Sequence, residues 1–204
     1  MMRALEDYIA EAARVHGHTC AGQVLGIRMA MYGLRLLGID DPQGPDRKRL
    51  VTFVEIDRCA TDAVSLVTGC RLGKRALKFR DFGKVAATFI DLKTSRAVRL
   101  IVRESARALA RSMFPELSDR SQQQAAAYRV MEDTDLFDRQ WVRVELPPED
   151  LPGYKGARAR CEQCGEAINF RRQVLRDGRV LCRACAGESY YQIVNGTQIN
   201  TDSH

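Results

Sequence analysis

The residue pattern places this chain in the α+β class, with an antiparallel or mixed sheet, packed helices and a small zinc-ribbon-like module at the C-terminal end. Three observations carry this. Apolar residues recur at helical spacing in the first 37 residues, and β-branched runs follow at Val51–Ile56, Val85–Leu92 and Ala97–Val102. Two Cys-x-x-Cys pairs, Cys161/Cys164 and Cys182/Cys185, are separated by 17 residues near the end. A stretch with three prolines, Pro147, Pro148 and Pro152, lies between the two regions. The 204 residues therefore divide into a core over 1–146, a Pro-rich linker over 147–160, a four-cysteine module over 161–187 and a polar tail over 188–204 with one apolar patch at Tyr190, Tyr191, Ile193 and Val194.

Within the core, Leu5, Tyr8, Ile9 and Ala12 define an amphipathic helix running to Val15. Ala21 to Leu37 is apolar on most of its circumference, which predicts a buried helix, and Gly38 stops it. After the loop Asp40–Pro45, the strand Val51–Ile56 leads to Asp57, expected to cap a helix that carries Cys59, Asp62, Ala63, Leu66 and Val67 toward Gly69-Cys70. Ala76–Phe79 reads as a short strand, followed by a turn at Asp81-Phe82-Gly83. Val85–Leu92 and Ala97–Val102 form the expected hairpin around Lys93–Arg96. Glu104–Phe114 is a helix closed by Pro115, Ser118 caps another to Met131, and Trp141–Leu146 is the last strand. The longest apolar segment, Val24–Leu37, is too short for a bilayer and contains Arg28 and Arg35. The start carries Glu6, Asp7 and Glu11 instead of a secretory apolar run, so a cytoplasmic protein with reduced thiols is expected.

Each Cys-x-x-Cys pair presents two thiolates from one turn, and two such turns complete a tetrahedron around zinc with bonds of about 2.3 Å. Gly165 relieves the first turn, and the intervening segment reads as a hairpin about Asp177-Gly178. A disulfide or thioredoxin-like pair is the competing reading, and the matched second pair argues against it. Four thiolates close the metal's coordination, so this zinc is structural. The whole chain carries a net charge of +6, concentrated in residues 151–187, where eight Lys or Arg face three Asp or Glu. That charge fits phosphate binding and equally a solvated surface around an anionic zinc–thiolate centre. Only Tyr154 and Phe170 accompany the basic run, which argues against nucleic acid.

A second concentration of ligand types lies between the first two helices, where His16-Gly17-His18-Thr19-Cys20-Ala21-Gly22 gathers two of three histidines and one of the three remaining cysteines. Imidazole with thiolate is a common donor set for zinc and redox metals, and a thiol at a helix N-terminus beside an imidazole is expected to have a lowered pKa. Helix-cap hydrogen bonding with a core cysteine is the alternative. Cys59 repeats the arrangement at the next helix start, with Asp62 one turn on as a general base or orienting group. Arg71-Leu72-Gly73-Lys74 follows Cys70 as a donor-rich turn suited to an anionic ligand, although the Walker pattern is absent.

These strings, together with Glu55-Ile-Asp57-Arg-Cys59-Ala-Thr-Asp62-Ala, Thr68-Gly69-Cys70, Gly73-Lys74 and Asp81-Phe82-Gly83-Lys84, resemble the family of the E-type component of formylmethanofuran dehydrogenase between Arg14 and Leu100. The trailing four-cysteine module is a usual companion there. The resemblance implies an α+β core that pairs as a homodimer and a metal-associated pocket with His18, Cys20 and Cys59 as ligands. His16, Asp62, Cys70 and Lys74 would line that pocket. Ala21 replaces the family's usual Pro, which bears on the turn more than on the ligands, and 105–138 falls outside the match. The oxidoreductase reaction in the family name calls for a pterin cofactor and iron–sulfur clusters, so partner subunits would supply them.

Three functional readings follow. The first is a metal-dependent enzyme or enzyme subunit acting on a small anionic substrate, with zinc in the module, a second transition metal in the core, and Cys59, Asp62 and Lys74 in catalytic roles. The second is a non-catalytic accessory, sensor or delivery protein for a metal or cofactor. The third is binding of nucleic acid or protein through the basic module.

Overall fold

In the computed structural model, residues 2–193 are described; Val194, the last member of the tail's apolar patch, lies outside them. α1 (Leu5–His16) buries Tyr8, Ile9 and Ala12 and ends at Gly17, whose φ of +88° no side-chain-bearing residue adopts easily. α2 (Ala21–Leu37) is buried along most of its length, as its apolar circumference predicts, and ends at Gly38. Close packing on α2 depends on its glycines. A Cβ at Gly26 would lie 2.3 Å from the Ala60 carbonyl oxygen, and one at Gly33 would lie 2.4 Å from the Phe89 ring. Glycine at these two places lets α3 (Cys59–Thr68) and the sheet approach the α2 backbone directly.

The sheet has the order β2-β1-β3-β4-β5, formed by β1 (Leu50–Val54), β2 (Leu77–Phe79), β3 (Ala86–Asp91), β4 (Arg96–Val102) and β5 (Phe137–Val142). β1 and β2 run parallel and the other pairs antiparallel, so the sheet is mixed. Period-two alternation sends Leu50, Val54, Ala87, Phe89, Val98 and Leu100 into the helix-side core. Val51, Ile90 and Ala97 bury the opposite face with Val142, Val144 and Leu146 packed against them. The last strand thus lies four residues earlier than Trp141–Leu146 predicts. Its alternating Val142, Val144 and Leu146 cover the sheet's second face, and the ladder itself uses the more polar 137–142.

α4 (Glu104–Met113), α5 (Arg120–Val130) and the short α6 (Asp133–Leu136) follow β4 and precede β5. Asp119, one residue after the expected Ser118, caps α5 by accepting from the Gln122 N–H at 2.7 Å. Arg28 of α2 fastens this layer, donating to the carbonyls of Tyr128, Arg129 and Met131 and to Asp133 at 2.7–3.0 Å. The chain after β5 stays with the core, where Lys78 Nζ donates to the Asp150 carbonyl at 2.6 Å. The compact unit closes at Gly153.

The second unit begins at Tyr154. β6 (Ala159–Arg160) pairs with β7 (Ala167–Ile168), and β8 (Val174–Arg176) pairs with β9 (Arg179–Leu181). Asp177 and Gly178 between the last two both have positive φ, the tight hairpin turn that an Asp-Gly step favours. No helix among the described residues is long and apolar enough to cross a membrane.

Candidate metal centre

The first donor cluster is assembled by helix ends. Cys20 is the N-cap residue of α2, and its N–H donates to Gln23 Oε1 at 3.4 Å. Gln23 in turn donates through Nε2 to the Ala12 carbonyl at 3.3 Å, tying the start of α2 to α1. That places His16, the last residue of α1, beside Cys20. The Gly26 contact with Ala60 brings in Cys59, the first residue of α3. One donor atom each from His16, Cys20 and Cys59 lies within 4.8 Å of the other two. Cys59 Sγ is 3.6 Å from His16 Nε2, close to the separation of about 3.6 Å that a tetrahedral zinc imposes on one sulfur and one nitrogen donor. A thiol–imidazole hydrogen bond has a similar length; Cys20 adds a third donor, so the group has the donor number and types that could hold a metal ion.

Burial raises the Cys59 thiol above its ordinary pKa, and the neighbouring Cys20 and Asp62 push it the same way. This is opposite to the lowering expected from the helix end. Two thiols and a carboxylate gathered in one place hold negative charge poorly until a cation joins them. The set of one imidazole and two thiols suits zinc and other borderline-soft transition metals.

The remaining predicted residues are distributed differently. His18 is outside the cluster, its ring 4.8 Å from that of His16, and it faces a separate hollow with Asp119 and Arg129. Asp62 and His16 line a 560 Å³ cavity with Glu11, Arg14, Gln23 and Arg71. Cys70 is buried under the sheet, where Thr52 Oγ1 donates to its sulfur at 3.5 Å, and burial raises its pKa. Cys70 and Lys74 line a second cavity of 680 Å³ instead of the first. Gln23 carries no sequence signal for a site role, since it is not a metal-binding type and its neighbours come from other elements; Arg71 is legible only as part of a donor-rich turn, not as a lining residue of this cavity.

In the second unit, Cys161, Cys164, Cys182 and Cys185 converge with all four sulfurs within 4.8 Å of one another. Cys164 Sγ and Cys182 Sγ are 3.9 Å apart, against about 3.8 Å for the edge of a zinc–thiolate tetrahedron. Backbone N–H groups of Cys164 and Cys182 hold Cys161 down to about 6, while the neighbouring Cys182 thiol pushes Cys185 up to about 12. Four such thiols ionise together only around a cation.

Comparison with known proteins agrees with both halves. Residues 15–138 match the family model described as FmdE, molybdenum formylmethanofuran dehydrogenase operon, which includes the 105–138 segment. Residues 154–191 match the prokaryotic dksA/traR C4-type zinc finger, starting where the second compact unit starts. A protein of Archaeoglobus fulgidus named as a probable S-adenosyl-L-methionine-binding protein is 31% identical over 210 residues. That match covers 93% of this chain, which spans about half, 55%, of the relative's length. The fold is shared with the crystal structure of a tungsten formylmethanofuran dehydrogenase FmdE-like protein from Syntrophus aciditrophicus. That similarity has a TM-score of 0.61 at 23% identity and covers 94% of this chain and 100% of the other.

Proposed function

This chain belongs to the FmdE family, and from that premise we propose that it is a zinc-finger metalloprotein whose core holds a second transition metal and acts there on a small molecule. The observation that carries the reading is the convergence of His16, Cys20 and Cys59 donor atoms within 4.8 Å. Three protein donors leave a coordination position open. A metal bound there supplies Lewis acidity or an activated water. Asp62, one turn along α3 from Cys59, lines the adjoining cavity and is placed to accept or return a proton. Glu11 of that cavity is paired with Arg3, leaving Asp62 as the carboxylate that can meet a cationic ligand, and the name of the Archaeoglobus relative makes S-adenosylmethionine the first small molecule to test.

A second reading is a metal-delivery or accessory subunit without turnover, in a homodimer or with partner subunits. It is supported by the exposure of His16 and the partial exposure of both thiols, which leave the metal free to exchange. Elemental mass spectrometry on tag-free protein tests the shared premise. We expect two metals per chain, falling to one in Cys59→Ser and in His16→Ala while the module's zinc stays, and remaining at two in His18→Ala. One zinc in every variant would sink both readings. Metal transfer to an apo acceptor without any turnover would favour the second.

A further inference from the structure

The loop Pro42–Lys48, the turn after α3 and residues 151–153 enclose the 680 Å³ cavity, which the metal centre does not use. Four cations line it: Arg47, Lys48, Arg71 and Lys74. No Asp or Glu does. Of the acids nearby, Asp46 and Asp91 pair with Arg49 and Asp150 with Arg75 and Lys78, and Asp41 accepts from the Gly44 N–H at 3.1 Å. Among the described residues, the four lining cations have no ion-pair partner. All four are exposed, so solvent screens much of their mutual repulsion, and the apolar surface of Ala76, Leu92 and Leu151 lies beside them in the same hollow.

An anion offsets the repulsion that remains, and its charge can be matched to the site. A single carboxylate offsets one of four positive charges. A phosphate group carries about −1.5 to −2 and offers three acceptor oxygens that several Arg and Lys donors share. The apolar wall supplies contact for an organic body, and the volume falls in the range of roughly 300–1,000 Å³ usual for small-molecule sites. We propose that this cavity binds a phosphorylated small molecule, with the phosphate held by Arg47, Lys48, Arg71 and Lys74 and the body against Ala76, Leu92 and Leu151. Arg71 also lines the cavity beside the metal donors, so the phosphate ligand touches a residue common to both.

Calorimetric titration of the full-length, zinc-loaded protein with orthophosphate, AMP, ATP, succinate and a single-stranded oligothymidylate tests this. The expected result is one AMP or ATP per chain, bound tighter than orthophosphate, with succinate weaker than either nucleotide. Lys74→Gln and Arg47→Gln should each weaken nucleotide binding about tenfold, the usual effect of losing one charge-assisted hydrogen bond. Arg139→Gln removes the same charge from exposed β5 and should change binding by no more than about twofold. Circular dichroism establishes that each variant is folded. The proposal fails if no phosphate probe binds, if Arg139→Gln weakens binding as much as the cavity variants, or if the oligothymidylate alone binds. None of these outcomes alters the metal count at Cys59.

Discussion

Asp91 ends β3 with no exposed surface, and an isolated carboxylate there would be strongly disfavoured. Arg49 meets it with two donors, Nε at 3.2 Å and Nη2 at 2.8 Å, while the Lys93 N–H and Thr94 hydroxyl add two more at 3.0 and 2.8 Å. Burial alone raises its pKa; these four hydrogen bonds outweigh burial and bring it to about 2 from the ordinary 3.8. Because the folded value lies below the unfolded one, the associated stability is present above pH 3.8 and is lost as pH falls toward 2. Its size is about 2 kcal/mol. Asp91→Asn should cost about 3 kcal/mol in denaturant unfolding at pH 7, with the difference from the parent chain shrinking between about pH 4 and pH 2. A difference that stays constant over that interval would contradict the account. Neither this role nor the choice of histidine was legible in the sequence, because both depend on partners distant along the chain. His16 and His18 are equivalent by type and spacing; the Gln23–Ala12 hydrogen bond that sets where α1 ends relative to α2 favours His16.

At the scale of elements, the α2–α3 contact decides whether a core site exists. Cys20 and Cys59 are 39 positions apart, and their sulfurs meet because a glycine at 26 lets α3 approach to the Ala60 carbonyl. Gly26→Val should therefore separate the helices. The expected result is destabilisation of about 1–3 kcal/mol by overpacking, with loss of the proposed core metal and retention of the module's zinc. Gly22→Ala makes a useful contrast, since its Cβ would sit at 3.5 Å from Cys59 Cβ, an ordinary contact, and should leave the metal in place. Retention of both metals in a folded Gly26→Val protein would show that the site does not depend on this packing. Local patterns made the helices, the β3–β4 hairpin and the Asp177-Gly178 turn legible, because periodicity and turn chemistry are written in neighbouring residues. The pairing of Gly26 with Ala60 is not. The same limit displaced β5: Val142, Val144 and Leu146 alternate like a strand and do bury one side, but the chain leaves the ladder after Val142.

Across the whole molecule, the two compact units differ in what holds them together. The first buries a large apolar core from α1 through α6 and both faces of its sheet. The second has only Cys161, Ile168 and Leu181 buried among its described residues, with four short strands, too little apolar area to offset the ordering of its chain. Its folding free energy must then come largely from the zinc–thiolate bonds. Cys164→Ser removes one of those bonds and should unfold 154–191 while leaving the thermal transition of the core in place. Trypsin supplies the measurement, because the module carries Arg158, Arg160, Arg171, Arg172, Arg176, Arg179 and Arg183. In the zinc-loaded parent these sites should be protected by the folded hairpins. In Cys164→Ser they should be cut first, releasing a stable fragment that ends near Lys155 and still carries the metal proposed at His16, Cys20 and Cys59. Collapse of the core transition in the same variant would mean that the zinc module stabilises the core as well as itself.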